Sequence, residues 1–579
     1  MDKRQVFGGL ISSAGWLLLL LASFLMLYSI VTPTEGGDTL RYAADVVEHA
    51  QGQPAQFWSF GHLLWRPWGY LGLKAIGPWF VQYFGDSEMQ AVVRFFVWTN
   101  FLCSLATVVL MWDTIRRFVS LPLATGVAVA FCGANSFLNH THLGSAYIPA
   151  LCFESLCLWL LLTKVRPEGP AGFAATAMAG FSYAICVLLW FPFALTGLGM
   201  LTALCWRPLR DPAGFSKGKI QLIALFVSVL AITSAAALIV GAVAYGVHDA
   251  QDLKKWILEA DNGWSQHLNI ARAVTGIPRS LYELSSANIL LKRWFFHDPY
   301  NPVHLSQVAG ALFIKLLLFY LGITALLWVL RKWAGRTTLF ILLSASVPVL
   351  FFAIIVFEPG SPDRYIPLLP FLYIAAAIAL KISAGRPLVF GTLTATLAAP
   401  VLFNAVALSS NSSKEVREVR EEVRALEGAM PRPGSVFVTT FRDPLYYAPL
   451  TRPLDHALVS RKYTVTDVIE IASTRLLHWH AEFADRALQS WEGGRDVWVS
   501  QKLLTSRPAA NGAWVEGDDP RIRWSALPEF FRQFATDRSE GGPDGFVRLA
   551  DTPENRAALQ RCIRDDPGYK GSTFYARAG

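Results

Sequence analysis

Residues 1–31, MDKRQVFGGLISSAGWLLLLLASFLMLYSIV, run without a break into residues 32–68, TPTEGGDTLRYAADVVEHAQGQPAQFWSFGHLLWRPW. The first stretch has a basic start and then an apolar run. That run is too long for the core of a signal peptide, and no small-residue cleavage site follows it. It reads as a retained membrane-spanning helix. The second stretch therefore emerges at a membrane surface. There it gathers Glu35, Asp38, Arg41, Tyr42, His49, His62 and Arg66 in a chain that is otherwise oily. An acid at the mouth of a membrane helix, with basic groups close by, is a candidate catalytic centre. Asp38 is also a favoured N-cap for a helix beginning near Thr39. On this stretch alone both readings stand.

Composition says what kind of molecule this is. The chain has 579 residues, 53% hydrophobic and only 16% charged, with a mean hydropathy of +0.36. Soluble domains carry about 25% charged residues. The deficit, with repeated apolar runs of about 20 residues, predicts a polytopic α-helical membrane protein. The 20 Trp suit rings lining both membrane interfaces. A net charge of +8 is explained by Lys and Arg in cytoplasmic loops, so membrane lipids are expected partners and nucleic acid is not. The seven cysteines show no metal-type spacing and no disulfide framework, and read as small packing residues.

About eleven spans are expected, at roughly 7–31, 91–112, 119–138, 147–163, 172–189, 192–206, 219–245, 307–330, 337–357, 365–381 and 387–408. A turn at Trp190-Phe191-Pro192 separates the fifth from the sixth. Loops on one side carry Lys3, Arg4, Arg116, Arg117, Lys164, Arg166, Arg207, Arg210, Arg331, Lys332, Lys381 and Arg386. The short connections near 139–146 and 190–192 on the other side carry no Lys or Arg. This bias predicts a cytoplasmic N-terminus and an outside C-terminus. Two outside loops, about 32–90 and 246–306, are long enough to expect function of them. The second contains an amphipathic run, DLKKWILEADNGWSQHLNIARAVTGIPRS (252–280), suited to lying on the membrane surface or to forming a solvated loop helix.

After the membrane part, residues 1–408, the composition changes to a polar linker and a charged helix. Residues 409–579 are expected to form an extracytoplasmic α/β domain. Its strand-like runs are VFVTT (436–440) and DVWVS (496–500), with helix expected across TVTDVIEIASTRLLHWHAEFADRALQSW (464–491). It has no phosphate-binding glycine loop and no nucleophile elbow. His478 and His480, two apart on a helix, point different ways and read as structural.

Three further groups stand out in the membrane part. FEPGSPDRYIPLLP (357–370) sets Asp363, Arg364 and Tyr365 at the entrance of a span. An arginine at a helix N-terminus suits a phosphate, and also suits anchoring at the interface. Asn139-His140-Thr141-His142 offers two histidines that a divalent metal can use when further ligands are present. Glu154 lies within a span, where an ionisable group is either functional or a neutral, hydrogen-bonded core residue.

Gly37-Asp38-Thr39-Leu40-Arg41-Tyr42-Ala43 resembles the first-loop motif of the GT-C glycosyltransferases, among them the protein O-mannosyltransferases and lipid A aminoarabinose transferases. Their pattern has adjacent acids before Arg-Tyr-Ala. Here Thr39 follows Asp38, and Glu35 is the nearest second acid. Arg364-Tyr365-Ile366-Pro367-Leu368-Leu369-Pro370 resembles the late Arg-Tyr-x-x-Pro-x-x-Pro pattern of the same families. The resemblance covers about residues 1–408. It implies sugar transfer at the outer face of a cell inner membrane, from a polyprenyl-phosphate donor to a glycan, lipid or protein acceptor, with inversion. Asp38 would be the general base. Glu35, Arg41, Tyr42, His62, Arg66, Arg364 and Tyr365 would bind substrate. The scheme requires no cofactor, although some relatives use a divalent metal. Two alternatives remain at this point. One is an O-antigen ligase or polymerase using a pyrophosphate-linked glycan. The other is a lipid or solute transporter.

Overall fold

A computed structural model describes residues 3–31, 39–52, 57–84, 88–165, 169–205, 217–259, 270–284, 290–291, 294, 303–333, 336–356, 360–428, 435–439, 464–467, 479–501, 504, 530–537, 545–566 and 568–569. The chain is a multi-pass membrane protein. Among the described residues, nine helices are long and apolar enough to cross a membrane: Ser13–Ile30, Glu88–Ile115, Tyr147–Lys164, Pro170–Leu189, Gly218–Tyr245, Leu305–Lys332, Thr337–Val356, Pro362–Ser383 and Pro387–Ser409. Two more of the expected segments form shorter apolar helices, Leu121–Cys132 and Phe191–Cys205.

The shortening of Leu121–Cys132 has a clear cause. The helix ends at Gly133, and Ala134 is extended, with φ −63° and ψ 132°. A Cβ on Gly133 would lie 2.7 Å from Val401 Cγ2, so the backbone closes on the last span there. Asn404 Nδ2 donates to the carbonyls of Gly133 and Leu281, both at 2.7 Å. The carbonyl freed by the broken helix thus gains a donor.

The chain divides into two compact units, Met1–Glu283 with Ile314–Ser410, and Leu284–Phe313 with Asn411–Gly579. In the first unit the described residues of the expected long loops are largely helical. We label α1 Lys3–Ile30, α2 Thr39–Ala50, α3 Trp65–Ala75, α4 Gly77–Phe84, α5 Glu88–Ile115, α6 Leu121–Cys132 and α7 Asn135–His140. There follow α8 Tyr147–Trp159, α9 Pro170–Leu189, α10 Gly197–Cys205, α11 Lys217–Tyr245, α12 Ala250–Glu259 and α13 Ile270–Leu281. Helix α2 buries Tyr42, Ala43, Asp45 and Val46 along one face, as a 3.6-residue period requires. Helix α3 lies hard against α5. A Cβ on Gly69 would meet Phe96 at 2.3 Å, and one on Gly72 would meet Phe95 at 2.3 Å. In the second long loop, Trp256 of α12 is buried against Leu63 and Leu188, and its Nε1–H donates to the Trp58 carbonyl at 2.6 Å. The end of α13 is tied into the bundle rather than laid on its surface. Asn135 Nδ2 and Ser136 Oγ donate to the carbonyls of Arg279 and Ser280, each at 2.8 Å.

The second unit carries a five-stranded sheet of order β2-β1-β3-β5-β4, with β1 Val436–Thr439, β2 Thr464–Asp467, β3 Val497–Ser500, β4 Thr536–Asp537 and β5 Phe546–Leu549. β1 pairs in parallel with β2 and β3, and β5 pairs antiparallel with β3 and β4. The start of the stretch expected to be helical is instead strand β2. Its Thr-Val-Thr run is β-branched, which favours a pleated neighbour to β1. Helix Trp479–Glu492 follows and packs Phe483, Ala487 and Trp491 on the sheet side of the core.

Candidate functional site

The site is built on a floor. Every residue from Phe131 to Ala150 is buried, although 139–146 reads as a short outside connection. A buried connection must find partners for its backbone. Asn100 Nδ2 donates to the His140 carbonyl at 3.1 Å, and Trp65 Nε1 donates to the Gly144 carbonyl at 3.0 Å. The Gly144 N–H donates to Thr39 Oγ1 at 2.9 Å. A Cβ on Gly144 would lie 2.5 Å from Thr39 Cγ2, so only glycine allows the approach. The floor thereby holds the first residue of α2, the residue after Asp38.

On this floor stands a chain of rings and charges. Arg66 Nε donates to Asp45 Oδ2 at 2.7 Å, and the guanidinium lies 4.7 Å from the centre of the Tyr42 ring. The Tyr42 and His62 rings are 5.2 Å apart, and those of His62 and Tyr147 are 6.1 Å apart. Tyr147 in turn packs on His140 at 5.1 Å and on Trp190 at 4.3 Å. Arg364 closes the chain, 5.5 Å from the Trp190 ring and 3.2 Å from the Asp363 carboxylate. Ser361 Oγ donates to Asp363, and Arg279 Nη1 holds the Gly360 carbonyl at 2.6 Å.

His62 reports the electrostatics. Its Nδ1 lies 3.1 Å from the Leu189 carbonyl, which can only accept, so Nδ1 carries the proton and Nε2 the lone pair. Burial pushes its pKa from 6.5 down to about 3, helped by the charges of Arg66, Arg364 and Arg41 and opposed by the bond to Leu189. A neutral imidazole therefore sits among three arginines drawn from two distant parts of the sequence. Two of these arginines also face carboxylates, Arg66 that of Asp45 and Arg364 that of Asp363, so the cluster holds charges of both signs.

The sequence-predicted residues divide as follows. Tyr42, His62, Arg66 and Arg364 come together. Arg41 is exposed on α2, within electrostatic reach of His62. Tyr365 is buried in an apolar cluster with Val349, Ala353 and Leu368. Glu35 and Asp38 lie outside the described residues. Asp45, Tyr147 and Trp190 join the site without a motif to announce them. Glu154, two turns of α8 beyond Tyr147, is fully buried and accepts from Thr196 Oγ1 at 2.7 Å. The two histidines of the floor are turned to different carbonyls: His140 Nδ1 is 2.7 Å from that of Ser136, and His142 Nε2 is 2.8 Å from that of Tyr28. Among the described residues, no three of His, Cys, Asp and Glu come together as a metal site would need.

No protein-family model and no curated protein sequence matches the chain. Solved structures do. ArnT from Cupriavidus metallidurans in the apo state superposes with a TM-score of 0.51 at 14% identity, over 95% of this chain and 99% of that one. ArnT from the same organism bound to undecaprenyl phosphate gives 0.49 at 14% identity, over 93% and 99%. The archaeal oligosaccharyltransferase AglB from Archaeoglobus fulgidus, in complex with an inhibitory peptide and a dolichol-phosphate, gives 0.45 at 12% identity, over 93% and 74%. The chain therefore has the fold of ArnT, as its resemblance to the GT-C glycosyltransferases implies.

Proposed function

We propose that this protein is a GT-C glycosyltransferase of a cell inner membrane, moving a sugar from a polyprenyl-phosphate donor to an acceptor at the outer face. The observation that carries the reading is the neutral His62 set among Arg66, Arg364 and Arg41, on a fold shared with ArnT. The first-loop motif and the positive-inside bias support placing this cluster, and the α/β unit, on the periplasmic side.

The chemistry then runs in one displacement. The Asp38 carboxylate takes the proton of an acceptor hydroxyl as its oxygen attacks the anomeric carbon. The bond from that carbon to the donor phosphate breaks with inversion, and its electron pair leaves with polyprenyl phosphate. Arg364 and Arg66 meet the charge that develops on the departing phosphate, in a site where little water competes. Arginine charge takes the part that a divalent ion plays elsewhere, so the scheme calls for no metal. His62 Nε2, as a lone-pair acceptor, is suited to a hydroxyl of sugar or acceptor.

The test is release of polyprenyl phosphate from a panel of labelled polyprenyl-phosphate sugars in liposomes, wild type beside Asp38→Asn. Release by wild type alone is expected. Equal release by both would remove Asp38 from the mechanism and return it to capping α2. Turnover only with pyrophosphate-linked donors would replace this reading by the ligase one.

A further inference from the structure

We propose that Asp45 is a positioning residue of the donor site: by accepting from Arg66 Nε it turns the rest of that guanidinium toward the donor phosphate. The inference rests on the transferase reading and adds a residue to it.

Arg66 is 2% exposed, so water does little to satisfy its five N–H donors. Its contact with Asp45 is side-on, through Nε alone, at 2.7 Å. Its Nη1 is buried and has no hydrogen-bond partner among the described residues. A buried, charged donor left without an acceptor is costly, and native proteins keep few of them. A phosphate oxygen is the acceptor that a guanidinium fork matches best. Two groups hold the fork in place. Asp45 fixes its edge, and the Tyr42 ring, 4.7 Å away, fixes its face. Both come from α2, one turn apart, so the acid and the ring move as one body. The same helix begins at Thr39, directly after Asp38, and is pinned there by Gly144. One rigid element would therefore set the distance between the proposed base and the phosphate-binding arginine. An ion pair serving packing alone would have no reason to leave Nη1 unserved.

The full-length protein, in detergent, is tested for binding of undecaprenyl phosphate and of undecaprenol, the same lipid without its charge. Asp45→Asn should weaken binding of the phosphate by about ten- to a hundredfold and leave the alcohol unchanged. In transfer assays it should raise the donor KM far more than it lowers kcat. Asp45→Glu should recover part of the loss. Arg66→Lys should match Asp45→Asn, and the double variant should lose little more than either, because both break one device. Unchanged phosphate binding in Asp45→Asn would overturn the role. So would parallel loss of phosphate and alcohol binding with loss of folded protein, the mark of a packing residue. If the wild type itself does not prefer phosphate to alcohol, the transferase reading falls and takes this inference with it.

Discussion

Two spans of this protein lead opposite lives. Gly218–Tyr245 is the more hydrophobic, yet only 6% of its most apolar stretch is buried. Pro362–Ser383 is less hydrophobic, and 83% of its most apolar stretch is buried. Hydropathy therefore marks both as membrane helices and ranks them in the wrong order for depth in the protein. The first leaves Ile232, Ile239 and Val243 exposed. The second turns Tyr373 into the core, where its hydroxyl donates to the Ala130 carbonyl. It also enters the membrane through Asp363 and Arg364, two charges that a lipid-facing helix would not tolerate at low cost. The less oily helix is the one that bears Arg364, the proposed partner of the donor phosphate.

The head of the buried span should show the largest effect. Arg364→Ala should lower kcat/KM for the donor by about 10²–10³, the usual result of removing one donor from a site of developing negative charge. Full activity in that variant would break the link between burial and chemistry. Next comes pH, since the Arg364 charge reaches His62. The pKa of His62 falls from 6.5 in the unfolded chain to about 3 in the folded one. As pH drops between those values the unfolded chain gains a proton that the folded chain refuses. Stability from this group should thus decline with acid at up to about 1.4 kcal/mol per pH unit, and be flat above 6.5. Thermal unfolding in detergent across that range checks this, and His62→Asn should remove this part of the slope. The smallest effects compare the two helices directly. Tyr373 donates its Oη–H to the Ala130 carbonyl at 3.1 Å, so Tyr373→Phe should cost about 1 kcal/mol. Val243→Ala, at a residue 72% exposed, should stay within about 0.5 kcal/mol. A larger loss at Val243 would show that its face is covered in the native membrane.

These contrasts explain what could be read from the chain itself. Every expected span has a helix because apolar runs of membrane length have few other solutions. Arg364 was legible because a charge beside a proline-rich helix entrance is rare in an oily sequence. Arg66 and Tyr42 stood out for the same reason. Asp45 did not, since its partner lies 21 residues away in the sequence. Tyr147 and Trp190 look like ordinary interfacial aromatics until the fold sets them between His62 and Arg364. The buried floor was the least legible of all. A loop with Asn, His and Thr reads as solvent-facing, and only tertiary partners such as Asn100 and Trp65 make its burial possible.

That floor also has a history within each molecule. Tyr373 meets Ala130 across 243 residues of sequence. At ribosomal speeds of about 5–20 residues per second, the later partner is made roughly 10–50 s after the earlier one. Through that interval the polar connection between α6 and α8 has been synthesised while the helix that covers it has not. Its imidazoles meet early partners, His142 the Tyr28 carbonyl and His140 that of Ser136, whereas the Ala130 carbonyl waits for Tyr373 and that of Gly133 for Asn404. Completion of the site therefore waits for the last two spans, and a chain halted before Pro362 lacks the donors that meet these carbonyls.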